Sequence, residues 1–313
     1  MLTNATANTR TIRAAAFAVA GALLFAGYSA EVAHAQPGQT PTLPIPPFAT
    51  GSFGSASIAA TPRLASLDNF RDVAGPAAGY VTADGKRVAS GLLYRSNALT
   101  PNDFDFAALH MLGLTVVYDL RTDGEIAKHP DRTPVGAQYT HVPVLTDAWA
   151  TEFMDTVARS QTPEQTREAM REMQRTLVTD TGARAGFGQL LTDIANTEGP
   201  QVFHCSAGKD RTGWVAALLL NIAGVARETV VSDYLLTNEY SAGSINAALD
   251  DIAAARGEQI AQIMAPLYWV EDSYLEAGFT QVEQQYGSFD NYLVEGLGLD
   301  QEIIAKLRGK LVP

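Results

Sequence analysis

Short β-branched apolar runs alternate along the chain with longer segments of helical period. Leu92-Leu93-Tyr94 reads as a short strand. Thr100-Pro101-Asn102 reads as a helix start, with Phe104, Leu109 and Leu112 spaced for one apolar face and Gly113 as the stop. The run from Leu114 to Leu120 has the continuous apolar character of a buried strand, and Tyr139 to Val144 reads as a weaker one. Residues 150–178 and 184–196 are helical by period. Gly199-Pro200 breaks the chain, and Gln201 to His204 is another strand. Gly213 to Ile222 is apolar almost all round, as a buried helix is, and Gly224 ends it. From Glu228 the pattern is mostly helical, closing on an amphipathic helix near Ile303–Leu311. Strands alternating with helices predict an α/β domain: a central, mainly parallel sheet flanked by helices, with a helical C-terminal part. No internal repeat is found.

The N-terminal region does not fit that pattern. Arg10 and Arg13 precede an apolar run from Ala14 to about Gly27, and Ala33-His34-Ala35 supplies small residues at the −3 and −1 positions. This is the pattern of a secretory signal peptide over residues 1–35. The run is shorter than the ~20 residues a spanning helix needs, so a retained anchor is the weaker reading, and no cysteine lies nearby to carry a lipid. Residues 36–63 hold Pro37, Pro41, Pro44, Pro46 and Pro47, then Gly51 and Gly54, and read as an extended or flexible linker. The folded domain is expected over 64–313. The product would be exported, to the periplasm or the medium, with no stable membrane insertion after cleavage.

Composition narrows the choice of partners. The 313 residues are 46% hydrophobic and 18% charged, a soluble globular balance. Twenty-two Lys and Arg against 34 Asp and Glu give a net charge of −12, which repels nucleic acid and anionic membranes at long range. Any polyanionic substrate must therefore meet a local positive site. Cys205 is the one cysteine, so no internal disulfide or multi-cysteine zinc site exists. An unpaired cysteine in an exported protein is either inert and buried or a working thiol, and its surroundings decide which.

Those surroundings are Phe203-His204-Cys205-Ser206-Ala207-Gly208-Lys209-Asp210-Arg211-Thr212-Gly213, between a predicted buried strand and a predicted buried helix. Cys205 falls at the carboxyl end of the strand, where α/β sheets bind ligands, and Arg211 near a helix N-terminus, which attracts phosphate-sized anions. A loop this tight can converge the backbone N–H groups of Ser206, Ala207, Gly208 and Lys209 on one anion, and Gly208 relieves its steric limits. The same field favours an anion at the sulfur, so Cys205 is expected to carry a thiolate near neutrality. A thiolate beneath a bound phosphate is an in-line nucleophile. Arg211 can fork onto two phosphate oxygens. Thr212 is placed to hydrogen-bond the sulfur, and His204 to orient the loop through a backbone contact.

The loop resembles the Cys-x5-Arg signature of protein tyrosine phosphatases, matching its wider form at His204, Cys205, Gly208, Arg211, Thr212 and Gly213. Asn69-Phe70-Arg71-Asp72, Gly91-Leu92-Leu93-Tyr94-Arg95-Ser96, Asp119-Leu120-Arg121-Thr122 and Tyr286-Gly287-Ser288 extend the resemblance, over residues 64–313, to a bacterial tyrosine-phosphatase subfamily with secreted mycobacterial members. The resemblance implies hydrolysis of phosphotyrosine, in some members also of phosphoserine, phosphothreonine and phosphoinositides. It also implies a helical insertion over the active site, for which residues 150–185 are the candidate. It implies no metal or organic cofactor.

The general acid stays open between Asp119, at the end of its strand, and Asp210, inside the loop. Asp147 is a weaker third. Arg121 and Glu125 read as a local ion pair. Lys209 is expected to face outward beside the phosphate, a feature shared with phosphoinositide phosphatases, so an inositol polyphosphate or phosphoinositide substrate is the alternative. A sulfurtransferase normally has a shorter loop than this one, and an inactive phosphate-binding module is disfavoured by the intact Cys205 and Arg211. The partner expected is a phosphorylated protein or phosphoinositide.

Overall fold

The computed structural model describes residues 61–76 and 78–313. The signal peptide and nearly all of the linker lie outside the described residues. Among the described residues five strands form one sheet in the order β1-β2-β5-β3-β4: β1 (Arg71–Asp72), β2 (Leu93–Ser96), β3 (Val116–Asp119), β4 (Gln138–His141) and β5 (Gln201–His204). Only the edge strand β1 is antiparallel, and β5 lies parallel between β2 and β3. The mainly parallel sheet expected from the alternation is therefore present.

The two-residue period of the strands divides the core. Leu93, Val116, Tyr118 and Phe203 face the larger cluster, built with most of the helices. Tyr94, Val117 and Val202 face a smaller one with Phe70, Leu99 and Leu109. On that second side lies α1 (Asp103–Met111), started by the Asn102 side chain accepting the Asp105 N–H. Leu109 packs inward, but Phe104 is 83% exposed, so the apolar face expected of this helix is narrower than its spacing suggests.

A short helix, α2 (Asp123–Lys128), follows β3. The helical stretch expected over 150–178 is two helices, α3 (Asp147–Ala158) and α4 (Pro163–Thr179). The chain restarts because Thr162 accepts the Gln165 N–H and Pro163 takes the first helical position, where its missing N–H costs nothing. The next helix, α5 (Thr181–Asn196), leads into β5, and α6 (Asp210–Ala223) follows the loop. The α6 helix is buried on nearly every side and ends on Gly224 in the left-handed region at φ 83°. The helical remainder comprises α7 (Arg227–Tyr240), α8 (Ala242–Arg256), α9 (Glu258–Tyr268), α10 (Asp272–Tyr286) and α11 (Gln301–Leu311). A short helical turn, Phe289–Asn291, and a π-helical turn, Tyr292–Gly296, sit before α11, and Tyr292 packs against Trp214 of α6 with the rings tilted by 59°.

Gly188 shows how closely these parts pack. A Cβ there would run into the Leu297 carbonyl oxygen. Gly188→Ala is expected to destabilise the protein by about 1–3 kcal/mol through overpacking. Gly309, exposed on α11 with open space around it, is the control, and Gly309→Ala should stabilise by about 0.5–1 kcal/mol. Urea unfolding of both variants measures the contrast, and equal effects would refute the packing argument.

Candidate active site

The residues from Cys205 to Lys209 turn between the end of β5 and the start of α6. Gly208 has φ 68°, and a Cβ on it would strike the Ser96 carbonyl and the Asn97 amide, so only glycine fits. Its own carbonyl is held from behind by two donors, Asn69 Nδ2 at 2.8 Å and Arg95 Nη2 at 2.8 Å. Arg95 is fully buried and pairs through Nη1 with Asp233 of α7 at 3.0 Å, and Arg71 shares the same carboxylate. Ala98 closes the front, donating its N–H to the Ser206 carbonyl.

Arg211 is aligned by Glu125. A capping box at the start of α2 fixes that glutamate: Thr122 accepts the Glu125 N–H while Glu125 Oε2 accepts the Thr122 N–H at 2.8 Å. Its carboxylate then takes Arg211 Nη1 at 2.7 Å and Nη2 at 2.6 Å, and the Ser206 hydroxyl donates to Oε1 at 2.6 Å. Burial alone would raise the Glu125 carboxyl. The Arg211 charge and hydrogen bonds outweigh it and bring Glu125 down to about 2. Arg211 also donates from Nη1 to the Leu120 carbonyl. Among the described residues its Nε–H and the second Nη2–H have no acceptor, which leaves one edge of the fork for a phosphate.

Cys205, Ser206, Ala207, Lys209, Asp210 and Arg211 line one end of a cavity of about 660 Å³, counted out to its mouth. Beyond Thr122 and Glu125 beside Arg211, the other walls are apolar. Trp149 and Phe153 of α3 stack at 5.1 Å, joined by Met154, by Met170 and Met173 of α4, and by Leu267. The segment expected to form an insertion over the site thus lines the same cavity as the loop.

Several expected roles change. Asp119 does not line the cavity. It is fully buried, with Arg121 Nη2 at 2.6 Å and the Tyr139 hydroxyl donating at 2.8 Å. Burial works to raise its carboxyl, but the Arg121 hydrogen bonds and the neighbouring His204 charge hold it far below the ordinary carboxylate range. It stays ionised with no proton to give, so Asp119 is not placed as the acid. Asp147 is exposed at the first turn of α3, where it accepts the Gly124 N–H. Asp210 alone of the three lines the cavity. Arg121 and Glu125 are not partners: Arg121 pairs with Asp119 and Asp131, and Glu125 with Arg211. Lys209 does not face outward. It is buried, donates to the Leu267 carbonyl at 2.6 Å, and lies 3.4 Å from Asp210. Thr212 is buried, and its hydroxyl has no partner among the described residues, so the expected bond to sulfur is not made. His204 does contact the loop backbone, with Nδ1 3.3 Å from the Cys205 carbonyl.

Glu125, Asp131 and Asp233 were not singled out as site residues by the sequence. For Asp233 a signal existed. It shares the buried stripe of α7 with Val230, Tyr234 and Thr237, and an acid there needs a buried cation.

A cysteine and an arginine converging over a strand-to-helix loop, with a free guanidinium edge above it, define a cysteine-type phosphatase site. The sequence profile of the tyrosine phosphatase family matches residues 62–313, and the chain belongs to that family. It is 36% identical over 251 residues to a protein of Cupriavidus necator assigned to the tyrosine-protein phosphatases, covering 78% of this chain and 85% of that one. It is 30% identical over 276 residues to the triple specificity protein phosphatase PtpB of Mycobacterium tuberculosis, covering 78% and 96%. A tyrosine-protein phosphatase of Nostoc commune is 29% identical over 215 residues, covering 67% and 70%. The chain is a protein-tyrosine-phosphatase-type hydrolase acting on a phosphorylated substrate. Among the described residues no helix is long and apolar enough to cross a membrane.

The Glu125–Arg211 pair gives a pH signature. The folded-state value of Glu125 lies below its ordinary 4.5, so its stabilisation is complete above 4.5 and is lost as pH falls toward about 2. Glu125→Gln should remove that component. Chemical unfolding between pH about 5 and about 2 should show a shallower loss in the variant than in the wild type. Parallel curves would refute the linkage.

Proposed function

We propose that this chain is an exported phosphatase that hydrolyses phosphotyrosine through a phosphocysteine intermediate, with phosphoserine and phosphothreonine as further substrates. One observation carries the reading: Cys205 and the unused edge of Arg211 meet at the end of a cavity walled by Trp149 and Phe153. The cavity suits an aryl group and the loop a phosphate. The triple-specificity name of the mycobacterial relative supports breadth beyond tyrosine.

The steps follow from the residues. The phosphate sits on the N–H groups of Ser206, Ala207, Gly208 and Lys209 and on the free fork of Arg211. The Cys205 thiolate attacks phosphorus, an S–P bond forms, and the P–O bond to the leaving group breaks. Asp210 gives its proton to the departing oxygen. Water then attacks phosphorus and loses a proton to the Asp210 carboxylate. The S–P bond breaks, and the Cys205 thiolate is restored.

A multiply phosphorylated inositol needs cations beyond those on the scissile phosphate. Lys209 is committed to Leu267 and Asp210, and the remaining lining residues add no cation. This favours the tyrosyl reading over the inositide one. With chelator present, kcat/KM for phosphotyrosine peptides should exceed that for inositol phosphates by about tenfold or more. The reverse order would overturn the substrate assignment.

The acid is tested by leaving-group dependence. Asp210→Asn should lower kcat on an alkyl phosphate by about 10²–10⁴-fold, the usual worth of acid catalysis. On p-nitrophenyl phosphate, whose leaving group needs little protonation, the loss should be much smaller. Asp119→Asn should show no such dependence and should instead lose stability, because it breaks a buried ion pair. Uniform losses across both substrates in Asp210→Asn would remove Asp210 from the role.

Export rests on the basic, apolar and small-residue pattern of residues 1–35. Mass spectrometry of protein recovered from the host should show a mature N-terminus at or near Gln36. An intact N-terminus in the membrane fraction would overturn it.

A further inference from the structure

His204, one residue before Cys205, is completely buried in a closed set of charges. Its Nε2 lies 3.0 Å from Asp131 Oδ2. Its Nδ1 lies 3.3 Å from the Cys205 carbonyl and 4.0 Å from Asp119 Oδ1. Arg121 Nη2 reaches both acids, at 2.6 Å to Asp119 and 2.9 Å to Asp131. Asp131 is further fixed by accepting the Leu99 N–H at 2.9 Å. From β4, Tyr139 donates to Asp119, and His141 Nε2 meets the Arg121 carbonyl while its ring stands 3.7 Å from Asp123. Arg121 Nη1 donates to the His129 carbonyl.

Two geometric facts point to one protonation state. Both ring nitrogens of His204 lie against oxygens that only accept, Nε2 in an ion-pair contact with Asp131 rather than an aligned hydrogen bond, and a neutral imidazole has a single N–H to offer. Two carboxylates also face one guanidinium, so the buried set is neutral only when His204 carries its second proton. Burial by itself disfavours a charged ring, but the Asp131 charge and contact, backed by Asp119, hold His204 above its ordinary value.

We infer that Asp131 is a positioning residue for the Cys205 nucleophile: it keeps His204 an imidazolium, whose Nδ1–H then donates to the Cys205 carbonyl and sets a fixed positive charge beside the sulfur. This rests on the reading of Cys205 as nucleophile. Asp131 touches neither the cavity nor the loop, and acts only through His204. An amide in place of Asp131 keeps the shape but cannot balance the ring's charge. The ring then becomes neutral at working pH, and an anion at the sulfur loses support. The other charges near Cys205, which include Arg211, Arg95, Lys209, Glu125 and Asp210, are the same in both forms.

Cys205 is the only cysteine, so thiol labelling reports on it alone. Labelling also needs no turnover. The rate of iodoacetamide labelling is followed against pH in the wild type, Asp131→Asn and Asp131→Glu. In Asp131→Asn the curve should move to higher pH by about half to one on the pH scale, as loss of a nearby opposite charge requires. The acid limb of kcat/KM should move with it, and Asp131→Glu should lie closer to the wild type. A folded Asp131→Asn with an unmoved labelling curve overturns the inference, whatever its melting temperature. Nitrogen-detected NMR of the unaltered protein is the second measurement, independent of whether the variant folds. Among its five histidines, one ring should hold two slowly exchanging N–H protons at neutral pH. Finding every ring with one or none overturns the inference. A moved labelling curve in a protein without phosphatase turnover would support it while overturning the proposed function.

Discussion

The site depends on what holds the Gly208 carbonyl. A loop that turns its N–H groups toward an anion must turn carbonyls the other way, into the protein. Here one of them meets Asn69 and Arg95. Arg95 can serve only because it is charged and fully buried at once. Burial first, then repulsion from Arg71, brings its guanidinium down to about 10, while Asp233 opposes both. It therefore stays cationic at neutral pH. A buried cation without its carboxylate costs about 3–5 kcal/mol, so the loop's shape is tied to a helix that lies outside it. Asp233 sits on α7, Arg95 on β2 and Asn69 before β1, and they meet only when sheet and helical part are assembled.

The same logic explains how Arg211 is aimed. A free arginine side chain holds about 2 kcal/mol of rotamer entropy, and a clamp that orders it only on binding would spend that from affinity. The capping box at α2 removes most of this cost beforehand. It fixes Glu125 by two backbone-directed contacts, and Glu125 fixes Arg211 by two more. The edge left over is the one that matches two phosphate oxygens. Trp149 and Phe153 complete the selection from α3, an element that contributes little to the core beyond Val157.

Much of this was legible in the sequence, for identifiable reasons. The strand over 201–204 and the buried helix after it were readable because glycine and proline bound the apolar runs, and the loop between them because its residue types serve only one purpose. The mainly parallel sheet followed from the alternation. The split at Pro163 was missed because helical period continues through it, and only the Thr162-Pro163 start marks the break. Partner choices were the least legible. Arg121 and Glu125 have the spacing of a helical ion pair, but Arg121 lies outside α2 and turns back to Asp119. Lys209 and Asp119 were misjudged for a common reason. Which way a charged side chain leaves a loop or a strand end is set by its tertiary partners, and those are not neighbours in sequence.

The charges around the loop resolve the difficulty posed by an acidic chain that must bind an anion. Glu125 balances Arg211, and Asp210 stands against Lys209. Asp119 and Asp131 face Arg121 and the His204 ring. The set behind Gly208 carries an excess of positive charge, with Arg71 and Arg95 sharing the single carboxylate of Asp233. The excess positive charge is therefore buried directly behind the anion-binding turn, in a medium where screening by water and salt is weak. A surface cluster of lysines would attract polyanions of every kind and would be screened by salt. A buried excess of one charge acts on the group seated in the loop and on little else. That arrangement suits a protein whose net charge of −12 keeps polyanions at a distance while one phosphate is drawn in.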